Sequence, residues 1–193
     1  MRTKIGGWRE LARRTLIWIK TLHEETDLGS VATAARDRWS AESWREHQEE
    51  IRRHWERIRE DLAGLRLDLA QTKLYHDSLA LEGQAARKMV EDLAAGGSAN
   101  YTLVLEMLRK GAVLVRTEDP ALLMEEYSLI RSEGADPERS LKLLALRDKY
   151  IAGRIAATLG PCGTGVLFLG AAHNVRPYLP PDAHVVEVPA PRP

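Results

Sequence analysis

The sequence predicts an α/β fold: a mainly parallel central sheet flanked by helices, in one domain. Three observations predict it. Short runs rich in bulky and β-branched residues alternate along the chain with longer segments of helical periodicity. One of those runs, Gly165-Val-Leu-Phe-Leu169, is wholly apolar, as a strand buried on both faces must be. The helical segments are long enough to serve as crossovers between parallel strands.

The elements follow in order. Residues 15–22 (TLIWIKTL) form the first expected strand. Ser30 caps an expected helix over 30–39, and Ser40 caps a second from Ala41 to about Gly64. In that second helix Trp44, Ile51, Trp55, Ile58 and Leu62 are spaced by seven, four, three and four, which draws one apolar stripe on a charged rod. The stripe either packs on the sheet or meets a second copy of the chain. Residues 72–77 are the second strand. A helix over 82–95 is stopped by Gly96-Gly97, and Ser98 caps the next, over 99–110, with Gly111 just past its end. Residues 112–116 (AVLVR) are the third strand. Asp119-Pro120 and Asp136-Pro137 each place a capping carboxylate before a proline at the first helical position, starting helices that run to about 132 and 159. Residues 165–169 and 185–188 are the last strands. The basic segment 1–14 reads as a solvated surface stretch and the proline-rich 189–193 as a loose tail, so 1–193 is one domain.

Composition narrows the function. The chain has 193 residues with 28 basic and 28 acidic side chains, so it lacks the basic excess of a nucleic-acid binder. No apolar run approaches the roughly 20 residues that span a bilayer, and Leu16–Ile19 is too short for a signal-peptide core. With Cys162 as the single cysteine there is no internal disulfide. The expectation is a cytoplasmic protein with no nucleic-acid or membrane partner, acting on a small-molecule or peptide substrate.

In an open parallel sheet, ligands bind beyond the carboxyl ends of the strands. The residues there are His23 and Asp27 after the first strand, His76 and Asp77 after the second, Glu118 and Asp119 after the third, and Gly170-Ala-Ala-His173 after the fourth. Imidazoles and carboxylates bind metals or move protons near neutral pH. Each has a structural alternative. Asp119 is most simply a helix cap, Glu118 a favourable charge at a helix start, Asp77 a turn residue, and His23 and His173 satisfied histidines at the core edge. His47 and His54 are expected on the solvated face of the long helix, and His184 at the start of the last strand. His23-Glu-Glu-Thr-Asp27 is not HExxH, and neither a phosphate loop nor a Gly-x-Ser-x-Gly elbow occurs. Cys162 falls on the entry side of its strand, opposite the proposed site.

The segment Arg147-Asp148-Lys-Tyr-Ile-Ala-Gly-Arg-Ile, followed by Gly-Val-Leu-Phe-Leu-Gly170-Ala-Ala-His173, resembles TraB/PrgY-like and TIKI-like proteins, grouped with the erythromycin-esterase-like superfamily. His23 through Asp27-Leu-Gly-Ser30, with Tyr75-His76-Asp77 and Thr117-Glu118, looks closest to an uncharacterised prokaryotic group within it. The resemblance implies a metal-dependent hydrolase whose two Gly-x-x-His histidines would be His23 and His173. The second motif is intact, and Lys20 stands where the first has glycine.

Together these readings give an expected hydrolase of peptide, ester or phosphoester bonds. The resemblance implies a divalent metal (Zn, Mn or Fe) on His23 and His173. Glu118 or Asp77 would be a third ligand or the general base. Asp27 would orient His23 or activate water. Arg147 would bind an anion or hold a carboxylate. The alternative is a non-catalytic ligand-binding or regulatory module, a homo-oligomer through helix 41–63.

Overall fold

Alternation of side chains across each strand divides the molecule into three layers. The computed structural model describes residues 13–22, 36, 40–131 and 136–189. Among them are five strands, β1 (Arg14–Thr21), β2 (Thr72–His76), β3 (Val113–Leu114), β4 (Thr164–Gly170) and β5 (Ala183–Val188). The five helices are α1 (Ala41–Gly64), α2 (Gly83–Ala95), α3 (Ala99–Arg109), α4 (Pro120–Arg131) and α5 (Pro137–Thr158). All strand pairs are parallel, in the order β3-β2-β4-β1-β5. The α/β class and the parallel sheet are therefore as expected. The sheet also proves to be parallel throughout.

β4 is the centre. Val166 lies opposite both Ile17 and Leu74, and residues 165–169 are all buried, as their apolar run requires. On one face Ile17, Ile19, Leu74, Val166 and Phe168 pack with Ile51, Trp55 and Ile58 of α1 and with Leu103, Val104 and Met107 of α3. On the other, Leu16, Trp18, Tyr75, Leu167 and Leu169 pack with Ile151, Ala152 and Ile155 of α5. Ile51, Trp55, Ile58 and Leu62 of the α1 stripe thus pack in the chain's own core, and Trp44 is buried as well.

Local chemistry sets the boundaries. Ser40, Ser98 and Asp136 cap α1, α3 and α5 by accepting hydrogen bonds from the backbone N–H of Ser43, Tyr101 and Arg139. Asp119 does the same for α4, accepting from Ala121 N–H at 2.8 Å. Gly111 follows α3 at φ +100°, and a Cβ there would stand 3.3 Å from the Ala70 Cα, so glycine is required twice over.

Three expectations are corrected. The third strand is only Val113–Leu114, not 112–116. Among the described residues it is an edge strand paired to β2 alone, and the chain leaves the ladder where the Thr117 hydroxyl accepts the His76 N–H. Arg14 belongs to β1 rather than to the basic segment, and its guanidinium bonds Asp182 at 3.0 Å and the Ala156 carbonyl at 2.9 Å. His54 is buried, not solvated. It lies beside Trp55 on the packed side of α1, with Nε2 2.9 Å from the Lys20 carbonyl, and burial lowers its pKa despite that bond. The expected helix 30–39 lies outside the described residues except for Arg36. No helix among those residues is long and apolar enough to cross a membrane.

Candidate functional site

The carboxyl ends of β2 and β4 are adjacent, so the residues that follow them are delivered to one place. Asp77 continues the ladder for one more bond, its N–H donating to Phe168 O at 3.1 Å. Its side chain then accepts the Gly170 N–H at 2.6 Å, tying the end of β2 to the end of β4. The loop after β3 reaches the same place because Thr117 and Glu118 both donate backbone N–H groups to the Leu79 carbonyl, at 2.9 and 3.0 Å.

α5 supplies the opposite wall. Arg147, Asp148, Ile151, Ala152 and Ile155 are its buried residues beyond Leu143, and their spacing puts them on one face. The apolar members dock on the sheet, which carries Arg147 and Asp148 to the strand ends. Arg147 donates to Glu118 Oε1 from Nε at 3.1 Å and from Nη2 at 2.5 Å, and to the Asp77 carbonyl from Nη2 at 3.0 Å. Its Nη1 pairs with Glu126 of α4. Glu118 is fully buried, and its Oε2 has no partner among the described residues. Burial pushes its carboxyl above the ordinary range although Arg147 opposes this. Burial likewise disfavours the Arg147 charge, but Glu118, Glu126 and Asp77 outweigh it and keep the guanidinium charged. Burial also acts to raise Asp77, and there the rings of His76 and His173 and the Gly170 N–H win, holding the carboxyl well below its usual range.

His173 follows β4 in a turn closed by its own N–H donating to Gly170 O at 3.1 Å. Its Nδ1 is 2.6 Å from Asp148 Oδ1, while Asp148 Oδ2 accepts the Asn174 N–H at 2.9 Å. A carboxylate can only accept, so Nδ1 carries the proton and the lone pair of the neutral ring is on Nε2. Among the described residues none is hydrogen-bonded to Nε2.

The structure thus brings Asp77, Glu118, Arg147 and His173 together, with the His173 ring close enough to act on the titration of both Asp77 and Glu118. His23 and Asp27 lie outside the described residues. Asp119 is turned to its capping role. Arg147 has its guanidinium filled by protein oxygens, which is the carboxylate-holding alternative rather than the anion-binding one. Sequence reasoning missed Asp148 as the orienting partner of His173, and Glu126 as the second carboxylate on Arg147. The signal for Asp148 was its place beside Arg147 on the apolar face of α5, where a charge demands a partner.

The described donors do not make a metal centre. No three His, Cys, Asp or Glu side chains among them are grouped to hold an ion, and Glu118 Oε1, Asp77 Oδ2 and both Asp148 oxygens are already committed to N–H donors. A charged cleft of about 670 Å³ along α1, lined by residues such as Arg53, His54 and Arg57, includes none of the site residues. No family model, curated protein or solved structure matches the chain.

Proposed function

We propose that the protein is a hydrolase of ester, peptide or phosphoester bonds in which His173 activates water. One observation carries this reading: His173 Nδ1 is held 2.6 Å from a buried carboxylate, Asp148, which fixes the tautomer and leaves Nε2 as the base. Asp148 also stabilises the imidazolium formed when Nε2 takes the proton of water. The Glu118–Arg147 pair holds the loop after β3 and the end of β2 against α5, so the base is presented by a rigid frame. The metal assistance implied by the resemblance would need donors outside the described residues.

The test is hydrolysis of chromogenic ester, phosphoester and peptide substrates by the purified chain, with elemental analysis alongside. His173→Ala is expected to lose about 10²–10⁴-fold in kcat, the usual worth of a general base. Asp148→Asn is expected to lose a similar factor with little change in KM. Undiminished turnover by His173→Ala on a substrate the wild type hydrolyses would overturn the reading.

A further inference from the structure

His76 and Asp77 leave the end of β2 on opposite faces of the sheet. Asp77 turns to Gly170, whereas His76 enters the layer of α3. There its ring lies between Tyr101 (centroids 4.8 Å apart, planes at 22°) and Phe168 (5.7 Å, 17°). Both ring nitrogens meet polar groups. The Ser78 hydroxyl is 2.9 Å from Nδ1, and the Asn100 amide nitrogen is 2.9 Å from Nε2. Tyr101 OH is hydrogen-bonded to the same Ser78 hydroxyl.

The protonation of the ring follows from its neighbours. The Ser78 backbone N–H donates to Nδ1 at 3.2 Å, which takes a lone pair on Nδ1 and puts the proton of the neutral ring on Nε2; Asp77 Oδ1, also 3.2 Å from Nδ1, is an acceptor and favours a second proton there. Nε2–H then needs an acceptor. Asn100 Oδ1 is buried with no partner among the described residues, and exchanging the two amide atoms by a half turn gives Nε2–H and Oδ1 to each other. His76 is then a base toward Ser78, oriented from behind by Asn100. Ser78 is partly exposed, while His76, Asn100 and Tyr101 beneath it are 3%, 1% and 6% exposed. A simple local turn would need only the backbone bond to Nδ1. It accounts neither for the amide on the far nitrogen nor for the two hydroxyls on the near side.

We propose that Ser78 is a nucleophile for acyl esters, with His76 as its base and Asn100 as the residue that positions the base. The arrangement of nucleophile, base and orienting group is that of covalent acyl transfer. Ser78 Oγ attacks the acyl carbon of an ester as its proton passes to His76 Nδ1. The C–O bond to the alcohol breaks, and the alcohol leaves with that proton. Water then hydrolyses the acyl-serine to the free acid and regenerates Ser78. Asp77 Oδ1, 3.2 Å from Nδ1, stabilises the ring while it holds the proton. The proposal rests on reading this sheet edge as hydrolytic and adds an acyl-enzyme to it.

The test uses the full chain and a fluorophosphonate probe, with the adduct located by peptide mass mapping. The expected result is one adduct, on Ser78, lost in Ser78→Ala, slowed at least about tenfold in Asn100→Ala and retained in His173→Ala. In Ser78→Cys, iodoacetamide is expected to alkylate position 78 faster at neutral pH than the exposed Cys162, because His76 favours the thiolate. No adduct on Ser78 in the folded wild type, or alkylation at position 78 no faster than at Cys162, overturns the proposal. The two readings fail separately. Loss of hydrolysis in His173→Ala without a Ser78 adduct removes only the nucleophile, and a Ser78 adduct with full hydrolysis in His173→Ala removes only the water-activating histidine.

Discussion

Glu118 and Arg147 form a pair in which one member is fully buried and the other nearly so, and such pairs are costly to break from one side only. Arg147→Met leaves the Glu118 carboxyl without its only side-chain partner among the described residues, and is expected to cost about 3–5 kcal/mol in denaturant unfolding. Replacing both, as Glu118→Leu with Arg147→Met, is expected to recover most of that loss, since no unpaired charge is left buried. A double variant as unstable as the sum of the two single ones would show that the residues act separately. Asp77 gives a pH signature of its own. Its folded pKa lies below the unfolded value near about 3.9, so its contribution is complete above that pH and disappears as the pH falls toward the folded value. Glu118 has the opposite shift, so its own contribution grows as the pH falls; because Glu118 is present in both wild type and Asp77→Asn, the difference between the two isolates Asp77. Unfolding followed from pH 5 to pH 2 is therefore expected to show a steeper loss for the wild type than for Asp77→Asn. Parallel curves would remove Asp77 from the electrostatic frame.

At the scale of elements, the starts of α1, α3, α4 and α5 were legible because each rests on one side chain and the next few backbone N–H groups; α2 starts without a side-chain cap. Ser40, Ser98, Asp119 and Asp136 all cap where their spacing indicates. The third strand was less legible, since an edge strand ends where a tertiary bond, here from His76 N–H to Thr117, draws the chain away. His54 was misread because helix periodicity does not reveal that a strand-end carbonyl waits above the helix. β4 is closely packed at Gly165. A Cβ added at Gly165 would stand 3.0 Å from Tyr75 Cε2 and 3.2 Å from Leu16 Cδ1, both on strands that flank β4. Gly165→Ala is expected to destabilise the protein by about 1–3 kcal/mol through overpacking, read as a shift of the denaturant midpoint at unchanged slope. A neutral result would mean that Tyr75 moves aside freely.

For the whole molecule, the candidate site is a consequence of strand order. β4, from the end of the chain, inserts between β1 and β2, and only then do Asp77 and Gly170 meet. The list of strand-end residues could be read from the sequence, but their pairing could not. Nothing local says that Asp148 will face His173 or that Asn100 will reach His76. The same insertion makes the two cores share their strands: Leu16 and Ile17, Leu74 and Tyr75, Val166 and Leu167 are neighbours that pack to opposite faces. Neither helical layer can leave without exposing strands the other layer needs, so both cores are expected to melt in one transition. Tryptophans report on each separately. Trp18 belongs to the α5-side core, and Trp55 to the α1-side core with Trp44 on the same helix face. Trp18→Phe leaves the second group as reporters, and Trp44→Phe with Trp55→Phe leaves Trp18, with Trp8 and Trp39 common to both variants. Each variant's fluorescence midpoint in urea is expected to coincide with its own far-UV circular dichroism midpoint. A fluorescence transition that precedes the loss of secondary structure in one variant alone would show that its layer detaches first. If that layer were α5, the proposed hydrolysis would fail at the same urea concentration, because α5 carries Arg147 and Asp148 to the strand ends.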